Sequence, residues 1–176
     1  MRMKQDSARY KAASLALFLA TVTGMGWAVS PAVDDAVSFT VNLKEWFVLE
    51  VQTSEAKTEA SGPTGAMVTT TLSPDGIPAR IKALTVVPTT QAVELRVQVF
   101  GDLVGPSGET LSLSDVAWEG AGDGFSSGRF TSTGSAVLAR WMGPGFREGT
   151  VQYFSPKLDV ASKKYVQRVV YSLNSI

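Results

Sequence analysis

Short runs in which apolar and polar residues alternate recur along this chain, and that period limits its fold more than any other feature. The clearest is Val93-Glu-Leu-Arg-Val-Gln-Val-Phe100. Val93, Leu95, Val97 and Val99 fall on one side, and Glu94, Arg96 and Gln98 on the other. A spacing of two sends successive side chains to opposite faces of a strand, whereas a helix groups residues three and four apart. The same alternation runs through 37–43 (Val37, Phe39, Val41, Leu43), 66–72 and 79–87. Segment 45–51 is apolar nearly throughout and reads as a buried strand or an amphipathic bend. Segments 111–118, 136–142, 149–155 and 165–173 complete a set of about nine short strands. A shift of phase at Asp115 suggests a bulge.

Turn chemistry separates these runs. Ser73-Pro-Asp-Gly76 and Gly143-Pro-Gly145 supply the backbone angles of tight turns. Two stretches rich in Ser, Thr, Gly and Glu, 53–65 and 119–134, read as surface loops, the second with Phe125 and Phe130 as anchors. Neither a sustained helical period nor an internal repeat occurs. The expectation is an all-β, two-layer antiparallel sandwich forming one domain over 29–176. Val37, Phe39, Val41, Leu95, Val97, Val99, Val169 and Tyr171 should lie in its core.

Residues 1–28 read as a signal peptide. Arg2, Lys4, Arg9 and Lys11 precede an apolar run from Ala12 to Ala28, and Gly26 and Ala28 are the small residues before a cut. Gly24 and Gly26 interrupt the run, which falls short of the roughly 20 apolar residues of a membrane span. The mature chain is expected to begin at Val29 and to be secreted: extracellular, at the cell surface or in the periplasm. The whole chain has 16 basic and 16 acidic residues; the leader holds four basic and one acidic, which leaves 12 and 15. That mild acidity argues against nucleic acid as a partner, since phosphates reward a basic face.

Cysteine and histidine are both absent. Without cysteine there are no disulfides, thiol nucleophiles or thiolate metal sites. Without histidine the commonest general base and most transition-metal sites are lost. No catalytic residues, metal site or cofactor are expected.

Two constellations remain. Asp115, Glu119 and Asp123, in the glycine-rich segment 115–123, offer hard oxygen ligands of the kind calcium selects, but their spacing is not that of an EF-hand and a solvated acidic loop accounts for them. Asp34 and Asp35 are read the same way. The aromatic set Trp118, Phe125, Trp141, Phe146 and Tyr153 could present faces to a sugar, with Trp118, Phe125, Trp141 and Tyr153 as the candidate ligand-facing rings. Core packing is the competing use of such rings.

The first alternating run, 37–43, follows the leader closely, and the chain closes on Tyr-x-x-x-Val-x-Tyr-x-Leu at Tyr165, Val169, Tyr171 and Leu173. At those two points the chain resembles secreted bacterial β-sandwich surface domains of the spore-coat-U, pilin-like and WxL kinds. It departs from them in two ways: no Trp-x-Leu occurs, the nearest text being Trp46-Phe-Val-Leu49, and the cysteines common in pilin-like members are missing. The resemblance implies an immunoglobulin-like sandwich with a structural or adhesive role outside the membrane.

The expected function is therefore a non-enzymatic surface-interaction module whose partner is another protein or a second copy, assembling by strand pairing. In that scheme 37–43 pairs within its own sheet or with a neighbour's edge. The alternatives are a polysaccharide-binding module and a secreted hydrolase using a carboxylate pair.

Overall fold

The computed structural model describes residues 44–74, 77–156 and 164–176. The proposed leader, the run at 37–43 with Val37, Phe39 and Val41, the pair Asp34 and Asp35, and half of the 73–76 turn lie outside the described residues.

Twelve short strands make up the described chain, joined by turns and one short 3-10 segment, Leu113–Asp115. The strands are β1 (Trp46–Gln52), β2 (Lys57–Gly62), β3 (Ala66–Leu72), β4 (Ala79–Val86), β5 (Ala92–Val99), β6 (Leu103–Val104), β7 (Thr110–Leu111), β8 (Ala117–Gly122), β9 (Gly128–Arg129), β10 (Ser135–Met142), β11 (Gly145–Phe154) and β12 (Gln167–Ser175). A six-stranded sheet runs β2-β1-β4-β11-β8-β9, a four-stranded sheet runs β10-β5-β12-β3, and β6 and β7 form a small ribbon. Every pairing is antiparallel. No helix among the described residues is long and apolar enough to cross a membrane.

The alternation decides which faces meet. Phe47, Leu49 and Val51 of β1 and Ile81 and Ala83 of β4 point inward from the larger sheet. Val93, Leu95, Val97 and Val99 of β5 and Val169, Tyr171 and Leu173 of β12 point inward from the smaller one. All are buried in one cluster, so the two large sheets share a core in a sandwich-like arrangement. The five expected core residues within the described chain, Leu95, Val97, Val99, Val169 and Tyr171, are in it.

Two hydrogen bonds cross that core. The Tyr153 and Tyr171 hydroxyls lie 2.9 Å apart, joining β11 to β12, and the Trp141 indole N–H donates to Thr85 Oγ1 at 3.4 Å, joining β10 to β4. Burial pushes both tyrosine hydroxyls well above their ordinary value of 10.0. A raised native pKa leaves this contribution intact below about pH 10 and removes it as pH climbs from there toward the native values. Two tyrosines should therefore stay un-ionised in a phenolate absorbance titration until the fold is lost. Ionisation of every tyrosine near pH 10 in the native protein would contradict the buried pair.

Several expectations need correction. Among the described residues the eight expected strands become twelve. The supposed loop 53–65 contains β2, because Thr53 closes a tight turn: its backbone N–H donates to the Ala56 carbonyl at 2.8 Å and its Oγ1 accepts from the Glu55 and Ala56 N–H groups. That turn folds Lys57–Gly62 back on β1 although Ala60 is its only apolar side chain besides glycine. The supposed loop 119–134 is the β8–β9 hairpin followed by a turn. The shift at Asp115 is the 3-10 turn, while a register shift occurs in β10 between Val137 and Ala139. Strand β11 begins at Gly145, directly after the Gly-Pro turn, rather than at 149.

Candidate interaction surfaces

The indole and phenol rings proposed to face a ligand are mostly core rings. Trp118, Trp141 and Tyr153 are 5%, 7% and 4% exposed. Trp118 leaves β8 on the inner face, where its ring tilts against Phe130 at 5.0 Å between centroids, and Phe130 stacks on Tyr153 at 6.0 Å. The indole N–H of Trp118 donates to the Ser126 carbonyl at 2.8 Å, so burial leaves no unmet donor. Gly128 makes this packing feasible, since a Cβ there would sit 2.6 Å from the indole ring. Trp141 is covered by the Arg147 guanidinium, 5.9 Å from the ring centroid. Phe125 is half-buried and packs against the core. These four positions thus hold the sheets together and the β8–β9 hairpin down; three of them have no free face for a sugar.

Nor do the acidic residues converge. Asp115 is in the 3-10 turn, Glu119 lies exposed on β8, and the Asp123 carboxylate is 3.3 Å from Arg147 Nε. Among the described residues no group of three or more acidic side chains could hold a metal ion.

One buried charge does stand out. Glu94 lies on the outer side of β5 yet is 1% exposed, because the half-exposed Arg96 and Arg140 side chains close over it, each hydrogen bonded to one carboxylate oxygen. Burial works against its charge, but the bonds from Arg140 and Arg96 outweigh that and hold the carboxyl below its ordinary value of 4.5. A lowered native pKa stabilises the fold above that value and loses the contribution as pH falls through the native one. Glu94→Gln should cost about 2 kcal/mol at neutral pH through the lost charge-assisted bonds. Denaturant melts of both proteins should converge in acid; a constant difference at all pH values would contradict the ion cluster.

Apart from Phe146, which belongs to the aromatic set named above, the surface features that sequence reasoning missed follow from register. On the exterior of the larger sheet Trp46 pairs with Val86, and Val48, Leu84 and Phe146 form the next cross-strand row. Trp46 is 45% and Phe146 54% exposed. The following row is charged: Glu59, Glu50, Lys82 and Glu148. Period-two spacing in segments 45–51 and 145–154 placed these side chains outward, but reading the first as apolar throughout hid it.

The second feature is an edge. Strand β3 closes the four-stranded sheet, and among the described residues only β12 pairs with it. Its sequence, Ala-Met-Val-Thr-Thr-Thr-Leu, carries neither charge nor proline, and its pairing with β12 runs through seven residues without a register shift. Ala66, Val68 and Leu72 are buried on its inner side. Natural edge strands are usually blunted by charge, proline or a bulge, because their free N–H and C=O groups template another strand. Of the two outer strands of the larger sheet, β2 carries Lys57 and Glu59 and β9 carries Arg129. Comparison with protein-family models, with curated proteins and with solved structures finds no match for this chain.

Proposed function

We propose that the chain is an exported, non-enzymatic surface-interaction module, an immunoglobulin-like sandwich that self-assembles by strand pairing at β3. The observation that carries this reading is the unblunted edge: seven uncharged residues, rich in threonine, with a continuous ladder to β12 on one side. An added strand there gains main-chain hydrogen bonds, and alternate side chains on the inner side set its register. The chain's crossing from one large sheet to the other at β3–β4, β4–β5, β10–β11 and β11–β12 supports the sandwich reading. The charged leader followed by an apolar run supports export, and the lack of histidine and cysteine supports a non-enzymatic role.

The secreted protein should form oligomers whose size grows with concentration in sedimentation velocity. Successive residues of an antiparallel strand direct their N–H and C=O groups to opposite neighbours. Of the pair Thr69→Pro and Thr70→Pro, one should therefore break the ladder to β12 and unfold the protein. The other should leave the fold intact and abolish the oligomers. A protein monomeric at every concentration, or a folded proline variant that still assembles, would contradict the reading.

A further inference from the structure

We propose that the exterior of the six-stranded sheet around Trp46 and Phe146 is a stacking platform for a neutral polysaccharide built of pyranose rings with equatorial hydroxyls. The site is separate from the β3 edge and does not depend on it. Its rings are mounted on β1 and β11, on either side of β4, which is paired along both edges. Two strand spacings and about one pleat repeat separate the two Cα atoms, roughly 12 Å in all. Between the rings lie the half-buried side chains of Val48, Leu84 and Val86.

The chemistry of this face selects its ligand. Protein hot spots are anchors seated in desolvated pockets. Two concavities of the described chain are lined elsewhere, one by Tyr153, Tyr171 and the 53–55 turn, the other by Thr69–71, Val104 and 166–168. Two exposed rings with aliphatic side chains between them suit a ligand that is itself flat and apolar on its broad side. A pyranose ring with equatorial hydroxyls has that form, since its C–H groups cover the faces and its hydroxyls project from the rim. The row beside the rings supplies the matching polar groups. Glu50 is paired with Lys57 at 2.8 Å and approached by Lys82 at 4.0 Å, with Glu59 and Glu148 alongside. Those groups accept from and donate to hydroxyls, and three carboxylates against two ammonium groups disfavour a polyanion. Other exposed apolar residues, Met67, Phe100 and Met142, share no row with these.

The test uses the mature, full-length protein with soluble hydroxyethyl cellulose, and amylose as the axially linked comparison. Affinity electrophoresis should show retardation by the cellulose derivative and little by amylose. Trp46 is the one exposed tryptophan among the described residues, so binding should also protect fluorescence from iodide quenching. Trp46→Ala and Phe146→Ala should each weaken binding by roughly tenfold, the usual loss of one stacking ring, with unchanged melting temperature. Trp46→Phe should retain most of the binding, and Met142→Ala all of it. Absence of retardation, retardation unaffected by either ring substitution, or loss of self-association rather than sugar binding in the ring variants would each overturn the proposal.

Discussion

Phe47→Ala should destabilise the domain by about 3–5 kcal/mol, the usual cost of removing a fully buried aromatic ring. Phe47 is 0% exposed and sits on β1, the strand that links the β2 edge of the larger sheet to β4. Its ring belongs to the core shared by both sheets. Two effects add here: the lost transfer of an aromatic side chain from water, and a void that two hydrogen-bonded sheets cannot close without breaking register. Against a total stability of about 5–15 kcal/mol for an ordinary domain, the variant should be partly unfolded at modest denaturant. Phe47→Leu should recover more than half of the loss. Equilibrium urea denaturation followed by tryptophan fluorescence reads both. A change within about 1 kcal/mol for the alanine variant would place Phe47 outside the core.

Gly134→Ala should cost about 2–4 kcal/mol, through backbone strain and a steric conflict together. Gly134 has φ +69°, and a Cβ built there would lie 2.3 Å from the Val99 carbonyl oxygen. That oxygen belongs to the backbone of β5, and the Val99 N–H donates to the Gly134 carbonyl at 2.8 Å. Relief of the clash would therefore pull β5 from the turn that leads into β10, adjacent strands of the smaller sheet. Thermal melts of Gly134→Ala beside Gly108→Ala make the comparison. Gly108 also has positive φ, 82°, but an added Cβ there meets nothing within 4 Å. The Gly108 variant should lose only the strain. Equal losses at the two sites would show that contact with β5 contributes nothing.

The legible parts of the fold were those where the side chain decides. Segments 66–72, 79–87 and 93–100 alternate because each has one face on the core, and they match β3, β4 and β5 to within a residue or so. Strand β2 was hidden because its state is decided by its partner: Lys-Thr-Glu-Ala-Ser-Gly has weak strand preference and is held by the β1 ladder. The glycine-rich segment after Trp118 reads as a loop because glycine more often marks one. Here Gly128 serves close packing under an indole, which composition cannot distinguish from flexibility. The same limit applied to the site. Which aromatic rings were buried depended on register, and Trp118 and Trp141 turned inward while Trp46 and Phe146 turned outward. The β3 edge was unreadable for a different reason: an edge is defined by what fails to pair with it, and strand order is not encoded locally.

Amide hydrogen exchange along β3, followed as a function of protein concentration, tests the central claim most directly. In an edge strand every second N–H faces outward and exchanges quickly, while the others are held by β12. The account predicts that outward-facing amides between Ala66 and Leu72 become protected as oligomers form, with little change along the charged edge β2. Protection of those amides that is already complete in dilute monomer, or that stays absent while oligomers accumulate, would contradict assembly through this edge.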